Sequence, residues 1–329
     1  MRAHSTRAAR TGPSPRALHN RLRNFREQRR VQAGSLIVSV FGDAVLPRGG
    51  CVWVGSLIRL LSPLGLSERL VRTAANRLVK EGWLRTECQG RRSNYLLTDA
   101  GRKRFGQAAN RIYASSMPPW DRHWRLILLV GDLDAKERDR IRKALYWQGF
   151  GILGGDCCVH PNADLVSALD ALAAEGLGAY VPRLMPLQSA DGVRITSTNN
   201  ADLVRRAWNL DGLLAGYEGF LSTYRPIHGE LCNDGGIRAS DEDAFLIRIL
   251  MIHDYRRLLL RDPGLPDALL PHDWPGHEAR RLCRNIYRRL LVPSERYLNA
   301  HLQLADGSVP AADASLAARF PDDDPPNGA

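Results

Sequence analysis

Apolar residues recur along this chain with two different periods, and the switches between them mark its elements. GSLIVSVFGDAV (34–45) is almost continuously apolar and predicts a buried helix. VWVGSLIRLLSPLG (52–65) brings Trp53, Leu57, Leu60 and Leu61 round at helical spacing and stops at Ser62-Pro63 and Gly65. Ser67 can cap a third helix, SERLVRTAANRLVKEG, which Gly82 ends. The pattern then changes. Trp83, Leu84 and Thr86, and again Tyr95, Leu96 and Leu97, read as two short strands joined by QGRRS, where Gly90 supplies the positive φ of a tight hairpin. Thr98 opens a further helix, TDAGRKRF.

Beyond SSMPPW (115–120), which reads as a linker, strand and helix patterns alternate. WRLILLV predicts a strand, and a helix follows with Ile141, Ala144, Leu145 and Gln148 on one strip. GILGGDCCVHP supplies more strand material, NADLVSALDALAAEGLG a second helix, and AYVPRLMPLQ (179–188) a returning strand. This β-α-β-α-β order fits a ferredoxin-like unit. Residues 196–304 are predominantly helical, with DAFLIRILMIHDYRRLLLRD and ARRLCRNIYRRLLV as the plainest cases. The whole therefore reads as an α+β chain. Its parts are a basic disordered arm (1–32), a helix-turn-helix region with a hairpin (33–115), a ferredoxin-like middle domain (120–192), a helical C-terminal domain (196–304) and a disordered, acidic, Pro-rich tail (305–329).

The third helix has two unlike faces. At about 100° per residue, Leu70, Val71, Ala74, Ala75 and Leu78 share one side, and Arg69, Arg72, Thr73, Asn76 and Lys80 the other. Arg and Asn are the side chains that pair bidentately with purine edges in the major groove, and Lys and Thr suit phosphates. Helix, turn, helix and a basic hairpin make a winged helix-turn-helix, with Arg91 and Arg92 on the wing. Charge supports this placement. Residues 1–30 hold nine arginines against one acid and residues 31–110 twelve Lys/Arg against five acids, so the remaining 25 basic and 29 acidic residues sum to −4 although the chain carries +11. The positive field belongs to the first third, as in a nucleic-acid footprint. For residues 1–30 alone, a solvated tail or a transit-type segment fits as well.

Other chemistry is sparse. No apolar run is long enough to span a bilayer, and six cysteines without CxxC spacing read as reduced thiols of a cytoplasmic protein. The histidines do not cluster as metal ligands, and no phosphate-binding glycine loop or nucleophile elbow occurs. Asp132 and Asp134, after the first middle-domain strand, could hold Mg²⁺ for phosphodiester cleavage, or one of them could simply start a helix.

The run SLIVSVFGDAVLPRGG…LLTDAG, with WDRHWRLILLV, RRAWNLDGLLAGYEGFLSTYRPI and IHDYRRLLLRDPGLPDALLPHDWPGHEAR, resembles the PaaX family, bacterial repressors of phenylacetic-acid degradation. The likeness runs collinearly over roughly residues 34–300. It implies a homodimeric repressor on double-stranded operator DNA, a middle domain similar to Cas2 proteins, and release by an aryl-acyl-CoA effector, typically phenylacetyl-CoA. Arg69, Arg72, Thr73 and Asn76 would read bases, and Lys80, Arg91 and Arg92 would hold the backbone. For the effector, Arg248, Arg256, Arg257 and Arg261 are candidate CoA-phosphate partners, and Trp208, Tyr217, Phe220, Tyr255 and Trp274 candidate walls of an aryl pocket. The competing readings are a metal-dependent nuclease centred on Asp132 and Asp134, and a constitutive DNA-binding scaffold.

Overall fold

The structure, a computed structural model, describes residues 16–28, 32–114, 119–189, 199–232 and 239–321. They fall into two compact units. One holds residues up to 114 with 219–256 and 278–321, and the other holds 119–218 with 257–277. Residues 196–304 are shared between the units, because the long helices Leu210–Cys232, Asp241–Leu259 and Pro275–His301 each have residues in both.

The first unit opens with α1 (Arg16–Arg26), whose Leu18, Leu22 and Phe25 recur on one face and are buried. Its first amides are satisfied from a distance, since Ala17 N and Leu18 N donate to Glu230 at 2.7 and 3.3 Å. Arg21 reaches Asp254 at 2.7 Å and Tyr224 Oη at 3.3 Å. The disordered-arm expectation therefore fails from Arg16 to Arg26, while residues 1–15 and 29–31 lie outside the described residues. The arm's polar composition concealed a three-residue apolar stripe on a helix whose first amides and Arg21 find their partners more than 200 residues away.

Next comes α2 (Ala33–Val40), which continues through a wider helical turn over Phe41–Val45 and a tight one over Leu46–Arg48. Gly49 and Gly50 adopt φ of 83° and 75°, a left-handed pair that turns the chain into β1 (Cys51–Trp53). Trp53 was expected on a helix. It ends a strand instead, paired with Asn94, and α3 (Val54–Leu61) starts after it. Val52 and Val54 suit either conformation, and pairing decides. Ser67 Oγ accepts from Leu70 N at 3.3 Å to cap α4 (Glu68–Lys80), and Val71, Ala74, Ala75 and Leu78 are buried. Leu70, expected on that side, is 39 % exposed. Strands β2 (Leu84–Gln89) and β3 (Arg92–Leu97) form the hairpin, in sheet order β1-β3-β2, all antiparallel. Thr98 Oγ1 accepts from Gly101 N at 2.9 Å and caps α5 (Asp99–Ile112), which outruns the predicted TDAGRKRF.

The second unit holds β4 (Trp124–Leu129), α6 (Ala135–Trp147), β5 (Gly151–Ile152), β6 (Cys157–His160), α7 (Leu165–Leu172) and β7 (Leu184–Ser189). The expected single strand over GILGGDCCVHP is a hairpin, β5–β6. That completes an antiparallel split βαβ with order β5-β6-β4-β7. The last strand starts at Leu184 rather than 179, because a tight helical turn containing Pro182 occupies Gly178–Arg183. One face of the sheet buries Ile127, Leu129, Ile141, Leu145, Phe150 and Leu172. The other carries Trp124, Val159, Val204, Trp208, Leu265 and Leu269, with α8 (Asn200–Ala207) contributing Val204.

Helices α9 (Leu210–Cys232), α10 (Asp241–Leu259) and α11 (Pro275–His301) follow. Residues 305–321, expected to be part of a disordered tail, instead run through the first unit. Phe320 is 1 % exposed, its ring standing edge-on to Tyr113 at 5.2 Å, and Arg319 is buried beside it. The acidic composition that suggested disorder is real at Asp306 and Asp313, but both carboxylates cap their own turns, accepting from Ser308 N and Ser315 N at 2.9 Å.

Candidate nucleic-acid interface

Helix α4 presents Arg69, Arg72, Thr73, Asn76 and Lys80 on an exposed face, all five on the side opposite the buried Val71, Ala74, Ala75 and Leu78. Two of the five have side-chain partners within the unit. Arg72 Nε donates to Glu68 at 2.8 Å one turn back, an exposed pair of small energetic weight that a phosphate or base can displace. Asn76 Oδ1 accepts from Tyr95 Oη at 2.8 Å. Arg77, also exposed, pairs with Glu81 at 2.8 Å.

The hairpin places its two arginines differently. Gly90 (φ 60°) and Arg91 form the turn, with Gln89 facing Arg92 across it. A side chain at such a turn has no core to enter, and Arg91 is exposed. Arg92 departs from the expectation of a free wing residue. Its guanidinium lies 4.7 Å over the Trp53 ring and donates to the Ala305 carbonyl at 3.2 Å, so it ties the hairpin to β1 and to the chain after α11. Sequence inspection also passes over Arg59, which lies 6.0 Å over the same ring.

Three matches to known families cover the same residues in order: a PaaX-like protein model over 32–101, a PaaX central Cas2-like domain over 117–200 and a PaaX-like C-terminal domain over 208–300. The transcriptional repressor PaaX of Escherichia coli (strain K12) is 37% identical over 290 residues, which is 88% of this chain and 90% of that protein. The chain belongs to the PaaX family. A solved structure, the uncharacterized protein Rv0674 from Mycobacterium tuberculosis, shares the fold with a TM-score of 0.50 at 23% identity, over 79% of this chain and 98% of that one.

One stretch that carries the PaaX resemblance, FGDAVLPRGG, contributes to a buried ionic network. Asp43, 1 % exposed, meets Arg248 Nε at 2.9 Å, Arg319 Nη1 at 3.1 Å and the Tyr113 hydroxyl, which donates to it at 2.7 Å. Arg248 Nη1 also reaches Glu295 Oε1 at 2.8 Å, and Arg48 bonds the other oxygen of Glu295 and, at 3.2 Å, Asn299. Burial pushes the Tyr113 and Tyr287 phenols up, and the Asp43 charge adds to both shifts. Arg248, expected beside CoA phosphates, is therefore committed to the core: it is 0 % exposed.

The remaining effector candidates are divided between the two units. In the first unit, Arg256 donates to Ser35 O at 3.0 Å, Ser35 Oγ at 2.7 Å and Ser39 Oγ at 3.2 Å. Phe220 and Tyr255 pack there in the core, their rings tilted to one another at 5.5 Å. In the second unit, Tyr217 and Trp274 are brought together edge to face at 5.9 Å, with Tyr217 Oη donating to Asp262 Oδ2 at 2.5 Å. Trp208 belongs to a different cluster of that unit, stacked on Trp124 at 6.4 Å and donating to Gly149 O at 3.1 Å. Arg257 and Arg261 are exposed.

The acid pair of the nuclease reading has local duties. Asp134 caps α6, accepting from Glu137 N at 2.8 Å while Glu137 reciprocates at 2.8 Å. The Asp132 carbonyl accepts from Arg183 at 2.9 Å. Among the described residues no group of three or more His, Cys, Asp or Glu side chains could hold a metal ion, and no helix is long and apolar enough to cross a membrane.

Proposed function

We propose that this chain is a homodimeric, cytoplasmic DNA-binding transcriptional repressor of an aromatic-acid catabolic operon of the phenylacetate type. Its first unit acts as a winged helix-turn-helix, and an aryl-acyl-CoA such as phenylacetyl-CoA releases it. The observation that carries this reading is the exposed Arg69–Arg72–Thr73–Asn76–Lys80 face of α4, set in a chain 37% identical to a transcriptional repressor. Base edges are read by Arg69, Arg72, Thr73 and Asn76, and the backbone is held by Lys80 and Arg91. Arg92 serves the wing through Trp53 as well as through its charge. For the effector, the Tyr217–Trp274 pair offers an aryl-binding wall, and Arg257 and Arg261 are the exposed cations suited to phosphate. Release requires the thioester to bind one conformational state better than the other.

Fluorescence anisotropy on the DNA upstream of the protein's own gene, at fixed salt, tests the reading. Tight binding abolished by phenylacetyl-CoA but not by free phenylacetate is expected. Arg72→Ala should erode discrimination between operator and random DNA by roughly five- to a hundredfold, whereas Arg91→Ala weakens both alike and flattens the salt slope by about one. Equal affinity for operator and random duplex in the wild type would refute the operator reading. Binding indifferent to every acyl-CoA would leave a constitutive DNA-binding protein.

A further inference from the structure

Asn76 lies in the middle of the exposed α4 face, and its amide is not free to turn. Tyr95 Oη donates to its Oδ1 at 2.8 Å. Tyr95 is anchored on the central strand β3, opposite Val52 on one side and Thr86 on the other, and is 5 % exposed. Burial pushes its phenol up, so the hydroxyl keeps its proton, and the opposing influence is the Arg72 guanidinium nearby. An asparagine carbonyl engaged in this way has one lone pair taken and its NH₂ turned outward.

We propose that Tyr95 is a specificity-positioning residue. It presets Asn76 as a hydrogen-bond donor, so that the base edge met by Asn76 in the major groove is an acceptor: guanine N7 or O6, adenine N7 or thymine O4. The amino edge of cytosine is refused. The inference rests on the DNA-binding reading above. Its physical content is pre-organisation: the rotamer and the orientation of the amide are fixed before DNA arrives, so no ordering cost falls on the encounter. It also separates two residues that look equivalent on a helical wheel. Arg72 can swing from Glu68 to a base, whereas Asn76 keeps one orientation.

The test selects bound duplexes from a pool randomised across the operator, using the full-length wild type, Tyr95→Phe, Asn76→Ala and Asn76→Asp, and counts bases at each position. The wild type should exclude cytosine at one position per half-site, and Asn76→Ala should level that position alone. Tyr95→Phe should reduce discrimination there about fivefold, the weight of one hydrogen bond, with other positions and random-DNA affinity unchanged. On the Asn76→Ala background Tyr95→Phe should change nothing further. Asn76→Asp, whose carboxylate only accepts, should move the preference toward cytosine and adenine amino groups whether or not Tyr95→Phe folds. Wild-type preference retained by Tyr95→Phe, discrimination lowered equally at every position, or unchanged acceptor preference in Asn76→Asp each overturns the proposal while leaving the operator reading intact. A wild type without base preference at any position removes both.

Discussion

Replacing Arg319 by Met separates the observed path of residues 305–321 from a solvated tail. The Arg319 guanidinium donates to the carbonyls of Gly42 at 2.8 Å and Asp43 at 2.6 Å, to the Tyr287 hydroxyl at 3.0 Å, and pairs with the Asp43 carboxylate at 3.1 Å. It also lies 4.2 Å over the Tyr113 ring. Met retains much of the apolar stem but leaves those acceptors buried without a donor, at about 1–3 kcal/mol each before relaxation. The individual losses do not add, because Asp43 keeps Arg248 and the carbonyls share one donor group. Removing one member of a buried ionic cluster typically costs about 3–5 kcal/mol, and that range is the expected loss. A solvated tail residue would change stability by less than about 0.5 kcal/mol.

The assay can be confined to the first unit. Cys283 is fully buried there, its thiol pushed well up by burial and by the Asp43 charge, so it resists alkylation until that unit opens. Cys158 is buried in the second unit, its thiol pushed up to about 12 by burial. Pulsed alkylation along a urea gradient, read by mass, gives a midpoint for each. With a slope near 2–3 kcal/mol/M, the Cys283 midpoint should fall by roughly 1–2 M in Arg319→Met. A Cys283 midpoint indistinguishable from wild type would show that Arg319 is not buried against Asp43, and the account of the C-terminal segment would fail with it.

Three further outcomes follow from other parts of the fold. Cys88, exposed on β2 next to the hairpin turn, should be the first thiol labelled at neutral pH, ahead of the half-buried Cys51 whose thiol burial pushes up to about 11; operator DNA should slow Cys88 labelling, and an unchanged rate would place the hairpin away from DNA. His228 is held below its ordinary 6.5 by burial and by Arg289, so the unfolded chain binds a proton that the folded one refuses; stability should decline as pH drops through 6.5, and His228→Gln should flatten the urea midpoint between pH 7.5 and 5.5. A Cβ at Gly101 would stand 2.2 Å from the Trp83 carbonyl oxygen, so Gly101→Ala must displace the start of α5 from Trp83, the residue just ahead of β2, at a cost of about 1–3 kcal/mol in a denaturation series.

Parts of this fold were legible because local chemistry settles them. Ser67 and Thr98 mark helix starts by the amides they accept from, and Gly90 marks the hairpin by its conformation. The buried stripe of α4 follows from period alone, with Leu70 the exception. Elements decided by distant partners were not legible. β1 is three residues long and exists because β3 pairs with it. The β5–β6 hairpin was read as one strand because β5 spans only two residues. α1 owes its placement to Glu230, Asp254 and Tyr224. The segment after α11 was read by composition, yet it bonds the β1–β3 sheet and the turn before it repeatedly: Trp53 N donates to Gln303 O at 3.1 Å, Ala305 N to Asn94 Oδ1 at 2.8 Å and Asp313 N to Pro47 O at 2.7 Å.

The arginines show most plainly where local reading succeeds and where it cannot. Arg48, just before two glycines, has the local look of a surface loop residue, and Arg319 that of a tail residue, yet both are buried. A guanidinium enters a core only when several acceptors converge on it. For Arg48 these are Glu295, Asn299 and the Ala44 carbonyl, and for Arg319 they are Gly42, Asp43 and Tyr287. Nearly all of those partners are separated by tens or hundreds of residues, so no window of sequence holds the answer. Arg91 is the opposite case. A side chain on a two-residue turn has neighbours on neither side that could bury it, so the turn alone fixes its exposure. The net excess of fifteen positive charges in the first 110 residues therefore overstates what a polyanion meets, because Arg21 and Arg48 spend their charge inside the protein and Arg92 spends part of its surface on Trp53. The cations left exposed are those that backbone geometry forces outward, which is why the exposure of the α4 face and of the hairpin tip is legible in the sequence and the core network is not.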